Sequence, residues 1–223
     1  MPKISEVQRE ARRQNILDAA LRCFSRNGFH ATTTADLVRE SGVSQGALYL
    51  YFATKEDIIR ALADDRQQRA AYLATLAQDE QDPVRGLVSL IHLHGQGLAD
   101  PARSDIRRAS IQGWAEALRD ARIRDGVVRG FETVRAAMVR LIERGQRTGQ
   151  FRPEVDPDGF ARTLIAIFQG MLLQVSWDEP VDLSACGETL SLVIRDAILT
   201  PAGRAHAGRF PLDPAPPPKE MAP

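Results

Sequence analysis

The stretch Gly42-Val43-Ser44-Gln45-Gly46-Ala47-Leu48-Tyr49-Leu50-Tyr51-Phe52-Ala53-Thr54-Lys55 reads as a tight turn that launches a short helix. Gly42 supplies a sharp, left-handed bend, Ser44 suits the cap of the helix that follows, and Leu48 and Phe52, four apart, hold one face of it down. The face left outward carries Gln45, Gly46, Ala47 and Tyr49. In a helix-turn-helix the second helix lies in the major groove of DNA with its N-terminal residues nearest the base edges. Gln45 can hydrogen-bond the N6/N7 edge of adenine, Gly46 lets the backbone come close, and the Ala47 methyl can touch a thymine methyl. The plainer alternative makes Gly46 and Ala47 small for packing and Gln45 merely solvated.

Working outward, Ile16, Ala20 and Phe24, flanked by Leu17 and Leu21, form the apolar stripe of a first helix that stops near Asn27-Gly28. A second, two-turn helix begins at Thr33, whose hydroxyl caps the free amides while Asp36 reaches back; Leu37 and Val38 point inward and Gly42 ends it. Downstream, Thr54-Lys55-Glu56-Asp57 is another capping-box start. Ile58, Ile59, Leu62, Leu73 and Leu76 mark a longer helix, and its charged stretch from Asp64 to Arg69 predicts a passage through solvent between two packed bodies. Further helices are predicted from Asp82-Pro83, after Asp100-Pro101, near Gly126 and from Asp156-Pro157, because proline suits a first helical turn and aspartate the cap before it. No segment alternates as a strand does, so the fold class is all-α. The expected organisation is an N-terminal three-helix helix-turn-helix domain over 1–55 and a helical domain over 56–200. From Pro201 the period is lost, and Pro211, Pro214, Pro216, Pro217, Pro218 and Pro223 predict a disordered tail over 201–223.

The 223 residues are 43% hydrophobic, enough for a sizeable core. Neither a run of about 18 apolar residues nor a signal-peptide core is found, so a cytoplasmic protein with no membrane partner is expected. Cys23 and Cys186 lie far apart without a C-x-x-C partner and read as small buried hydrophobes, not a disulfide or zinc site. His92 and His94 point to different sides of a helix and cannot form a metal pair, so no metal and no cofactor is expected. No nucleotide loop, nucleophile elbow, His-Glu-x-x-His pair or supported carboxylate cluster occurs, which argues against an enzyme. The net charge is zero, yet residues 1–55 hold eight Lys/Arg against five Asp/Glu, so the head is +3 and the remainder −3. A basic head on an acidic body suits a protein that meets phosphate with one end.

Gly28-Phe29, Thr32-Thr33, Leu37, Gly42-Val43-Ser44, Gly46, Leu48-Tyr49, Tyr51-Phe52 and Lys55-Glu56 together resemble the DNA-binding head of the tetracycline-repressor (TetR) family, over roughly residues 10–60. The Leu-Tyr-x-Tyr-Phe-x-x-Lys ending is far more specific than a generic helix-turn-helix pattern. The resemblance implies a transcriptional regulator, a repressor, that binds a palindromic double-stranded DNA operator as a homodimer and is released by a small-molecule effector. A TetR-like activator and a helical adaptor without DNA binding are the alternatives. The resemblance also implies a phosphate or base contact for Tyr49. Tyr51 either reaches phosphate or packs on the first helix. Lys55, Thr33 and Ser44 carry donors suited to backbone phosphates; capping is the alternative role, for Thr33 above all, and the two roles can coexist. Two departures are Val38, where the family generally has alanine, and Leu50, where a polar or aromatic residue often sits; the second puts one family-type phosphate contact in doubt.

Phe160, Leu164, Ile165, Ile167, Phe168, Met171, Leu172, Leu173 and Val175 make one segment apolar around most of its circumference, more than a monomer's surface helix needs. Leu190, Leu192, Val193, Ile194, Ala197 and Ile198 make a second. The resemblance places both in a four-helix dimer bundle, with Phe160, Leu164, Ile167, Met171, Val175, Leu190, Val193, Ile194 and Ala197 at the interface; a core helix of a monomer is the alternative. Leu93, Trp114, Leu118, Phe131, Val134, Met138 and Phe168 are the expected lining of a chamber for a small hydrophobic effector, since ligand pockets are mostly apolar. Each is equally a residue type of an ordinary core.

Overall fold

Ile16, Leu17, Ala20, Cys23 and Phe24 recur at helical spacing and are all buried, which is why α1 (Glu6–Asn27) forms and which face it turns inward. The structure, a computed structural model, describes residues 6–177 and 180–207. α1 ends where Gly28 adopts φ 81°. α2 (Thr34–Ser41) starts with a complete capping box: Thr33 Oγ1 accepts the Asp36 N–H at 3.2 Å and the Asp36 carboxylate accepts the Thr33 N–H at 2.9 Å. Gly42 closes it in the left-handed region, φ 68°, where a side chain would be strained. Ser44 Oγ accepts the Ala47 N–H at 3.2 Å to cap α3 (Gln45–Tyr51), and Thr54 with Asp57 forms a second capping box at the head of α4 (Lys55–Asp79).

The later helices are α5 (Pro83–Ala99), α6 (Ser104–Ala117), α7 (Ala121–Arg147), α8 (Pro157–Ser176), α9 (Leu183–Val193) and α10 (Pro201–His206). α9 runs on into a π-helical turn over Ile194–Ile198. Asp82 and Asp156 cap α5 and α8, each followed by proline in the first turn, as expected. After Asp100, however, Pro101–Arg103 forms a 3-10 turn and α6 starts only at Ser104. α7 begins well before Gly126, because the Asp120 carboxylate accepts the Arg122 N–H at 2.7 Å and supplies the cap there. Among the described residues no strand forms; Phe151 and Leu199 make a single antiparallel bridge.

Two hydrophobic cores divide the chain. One unit comprises the chain up to Gln68 together with Ser104–Gly130; the other comprises Arg69–Arg103 and the chain from Phe131 onward. The expected boundary at residue 55 therefore falls inside the first unit, and the division runs through α4. Ala117 and Ile123 are buried with Ile16, Phe24, Leu37, Leu48, Phe52 and Ile58, which binds α6 and the start of α7 to the helix-turn-helix. The Gln112 amide fixes the register by donating to Phe24 O at 2.8 Å and accepting from Phe29 N at 2.9 Å. Each fully buried aliphatic side chain in this core contributes roughly 1.5–3 kcal/mol.

The second unit is built on Val84, Leu87, Leu90, Ile91, Met138, Leu141, Ile142, Phe151, Leu164 and Ile194. Cys23 is buried in the first unit, whereas Cys186 is only half-buried. The expected disorder from Pro201 is corrected for the first residues of that tail, since Pro201–His206 is helical. Thr200 Oγ1 caps α10 by accepting the Gly203 N–H at 3.1 Å. Gly203 lies so close to the Gln150 carbonyl that a Cβ there would sit 2.1 Å from its oxygen, and His206 pairs with Asp82. The prolines from Pro211 onward lie outside the described residues. α8 is, by length and composition alone, apolar enough to cross a membrane, which its sequence had not suggested.

Candidate nucleic-acid interface

α3 is held by one side only. Leu48 and Phe52 are buried, and Tyr51, half-buried, packs against the same core. Gln45, Gly46, Tyr49 and Leu50 face outward, while Ala47 is half-buried. A Cβ built on Gly46 would meet nothing within 4 Å, so internal packing does not require a glycine there. Leu50, one turn on from Gly46, is 81% exposed and extends the outward face with apolar surface. Ser44 accepts the Ala47 N–H, and its own O–H has no acceptor among the described residues. That hydroxyl remains a donor for an external oxygen.

The loop before α2 is fixed from two directions. The Lys55 ammonium donates to Phe29 O at 2.7 Å, Thr32 O at 2.9 Å and His30 O at 3.2 Å, and lies 4.4 Å from the Phe29 ring centroid. A lysine has three donors, and all three are engaged. In this structure the Lys55 protons go to carbonyls of the loop between α1 and α2, where the sequence-based expectation had them donate to a DNA phosphate. From the other side, His30 Nε2 lies 2.9 Å from Glu116 of α6. Thr33 is exposed, but its hydroxyl donates to Asp36 Oδ2 at 2.7 Å as well as accepting the Asp36 amide, so capping is its role in this structure. Hydrogen bonds from the Thr33 hydroxyl, the Thr33 N–H and Arg39 hold the Asp36 carboxyl below its ordinary 3.8, at about 2.

The charges of the head sort into committed and uncommitted. Arg22 and Arg26 both pair with Glu40, at 2.6 and 2.5 Å, and Arg39 pairs with Asp36 at 2.5 Å. Arg13 pairs with Glu10 at 3.1 Å and stands 5.9 Å from the Phe52 ring. Arg9 and Arg12 are exposed and have no partner among the described residues. The sequence shows their charge but not their freedom, because pairing is a tertiary property.

The expected interface and chamber residues scatter. Leu164, Leu190 and Ile194 are 1%, 7% and 0% exposed, so they belong to the core of their own unit and not to a free face. Phe160, Ile167, Met171 and Val175 are half-buried; Val193 and Ala197 are exposed, as is Leu192, which the interface reading had not included. Of the chamber residues, Trp114 and Leu118 belong to the first unit and the other five to the second. Leu118 is 87% exposed and lines no enclosed space. Val134 and Met138 are core; Leu93, Phe131 and Phe168 are half-buried, with the His94 ring 5.8 Å from that of Phe168. A cleft of about 240 Å³ in the first unit has a different, charged lining: Arg60, Ala63, Asp64, Arg122, Asp125, Gly126 and Arg129. Among the described residues no group of His, Cys, Asp and Glu could hold a metal.

A capped turn, a short helix secured by two buried side chains and an outward face of amide, glycine and phenol define a helix-turn-helix protein. Residues 16–62 match the family model for bacterial regulatory proteins of the tetR family, and residues 94–197 match that for the C-terminal region of BetI-type transcriptional repressors. A Bacillus subtilis relative, the uncharacterized HTH-type transcriptional regulator YfiR, is 24% identical over 199 residues, covering 88% of this chain and 97% of its own. SmeT, the repressor of the Stenotrophomonas maltophilia multidrug efflux pump SmeDEF, is 26% identical with a TM-score of 0.70, over 92% of this chain and 97% of its own. It has also been solved as a triclosan complex. A putative transcriptional regulator from Saccharomonospora viridis, solved with choline, is 25% identical with a TM-score of 0.73, over 86% of this chain and 99% of its own. The chain belongs to the TetR family of transcriptional regulators.

Proposed function

We propose that this regulator is a cytoplasmic repressor that binds a palindromic operator as a homodimer and leaves it when a small hydrophobic molecule binds. The observation that carries the reading is the outward face of α3, where Gln45 and Tyr49 stand exposed beside a glycine that internal packing does not need. In a major groove Gln45 takes an adenine edge, Gly46 allows close approach, and Ala47 and Leu50 offer methyl groups of the kind a thymine methyl contacts. Ser44 and Tyr49 donate to the phosphates that set the register. Thr33 and Lys55 act one step back, shaping the loop that presents α2.

A single head spans too few base pairs for useful specificity, so two heads about one helical turn apart, roughly 34 Å, are required. The apolar faces of α8, α9 and the π-helical turn after it, with Phe160, Ile167, Met171, Val175, Leu192, Val193 and Ala197, supply the contact between copies. The effector site lies in the second unit, near Leu93, His94, Phe131 and Phe168, where apolar side chains are left half-covered beside a ring that can hydrogen-bond. To weaken operator binding 100-fold, the effector must favour the non-binding arrangement by about 2.7 kcal/mol. The test is selection of bound duplexes from a random pool, with the mass of the complex measured by light scattering. A two-fold-symmetric site bound by two chains supports the proposal; a monomer with no preferred duplex at low salt ends it.

A further inference from the structure

We infer that Arg9 and Arg12, on the exposed opening turns of α1, form a second surface for the DNA backbone that flanks α3; this rests on the duplex-binding reading above. α1 is ten residues longer than its core requires: Glu6 to Asn15 contains no buried residue, and burial begins at Ile16. That overhang is placed by two contacts. The Asn15 amide donates to Ser41 O at 2.7 Å, three residues before the cap of α3, and Arg13 lies against Phe52 at the other end of α3. Arg12 is one turn before Asn15 and Arg9 one turn before Arg13, so both lie on the stretch of α1 that runs on past these two contacts.

Among the described residues, both are also cations of the head with no partner. Arg22, Arg26 and Arg39 are held by carboxylates and Lys55 by three carbonyls, whereas Arg13 keeps only an exposed pair with Glu10. A cation paired with a carboxylate brings that negative charge up against the phosphate with it. Arg9 and Arg12, unpaired among the described residues, bring none, and the planar guanidinium fork fits two phosphate oxygens at once. Their long side chains reach from a helix that need not enter the groove, so the contact adds affinity without reading sequence.

The experiment uses the full chain, a duplex recovered by selection and a scrambled duplex of equal length, with binding followed by fluorescence anisotropy from 0.05 to 0.3 M salt, chosen as roughly the range in which phosphate contacts are read. Arg9→Ala with Arg12→Ala should weaken both duplexes alike, by about 60-fold near 0.1 M salt, and reduce the slope of log K on log salt by about 1.8. Arg9→Lys with Arg12→Lys should restore most of the slope, because the charge returns; helix content by circular dichroism should be unchanged throughout. An unaltered slope in the double alanine variant overturns the inference, as does a slope that the lysine variant fails to restore. If the parent chain binds both duplexes equally but with steep salt dependence, the operator reading fails while the arginine contacts are still measured. A parent chain that binds neither duplex sinks both.

Discussion

α3 and α8 both leave most of their surface uncovered, and they do so with opposite chemistry. α3 buries Leu48 and shows an amide, a bare backbone, a phenol and one leucine; α8 buries Ala161 and Leu164 and leaves Ile165, Ile167, Phe168, Met171, Leu172 and Leu173 half-covered. A short polar face suits a hydrated, hydrogen-bonding partner, whereas a long apolar face suits another apolar surface. What a helix leaves outside tells more about its partner than what it buries.

That contrast can be broken most forcefully from within. Leu48→Ala should cost about 2–5 kcal/mol, because it empties the core beneath α3, while Gln45→Ala should leave the melting temperature unchanged and only relax base preference. Equal losses of stability in calorimetry would mean that the outer face of α3 is structural. At the end of α9 and in the π-helical turn after it, the same comparison pairs Ile194→Ala, again expected to cost about 2–5 kcal/mol, with Leu192→Glu and Val193→Glu together, expected to give folded monomers by light scattering. A folded double variant that still dimerises would remove α9 from the interface.

Lys55→Met sharpens the division between positioning and contact. Loss of a charged group's hydrogen bonds should lower stability by roughly 1.5–3 kcal/mol while the salt slope of DNA binding stays fixed; a slope reduced by about 0.9 would return Lys55 to the phosphates. Asp36 gives a pH test of the α2 cap. Its folded value, about 2, is below the ordinary 3.8, so its contribution is complete above about pH 4 and is lost as pH falls through about 2. Asp36→Asn should flatten acid unfolding across that window, and an unchanged acid limb by circular dichroism would deny the cap its role. The smallest effect concerns Leu50: replacing a contacted thymine by uracil removes one methyl and should weaken the parent about four-fold, but not the Leu50→Ala variant.

Much of the head was legible in advance. Thr33, Gly42, Ser44 and Thr54 mark element ends through bonds to residues three or four away, so sequence spacing alone exposes them. The loop contacts of Lys55 were not legible because its partners, Phe29, His30 and Thr32, are more than twenty residues distant. Leu118 and Leu164 were misread in a different way: apolar period shows that a residue has a sheltered side, not whether its own unit, a partner or nothing covers it. Gly126 and Pro201 misled as punctuation, since the Asp120 cap and the Thr200 cap outweighed them.

The amino-acid order by itself determined the helices, the turn at Gly42 and the family, because short-range hydrogen bonds and apolar spacing are written along the chain. Only the tertiary structure decided that α6 and the start of α7 belong with the helix-turn-helix, that Lys55 serves the loop before α2, and that Arg9 and Arg12 stay uncommitted among the described residues. Those outcomes depend on which distant groups meet, and charge pairing and burial are settled by proximity in space.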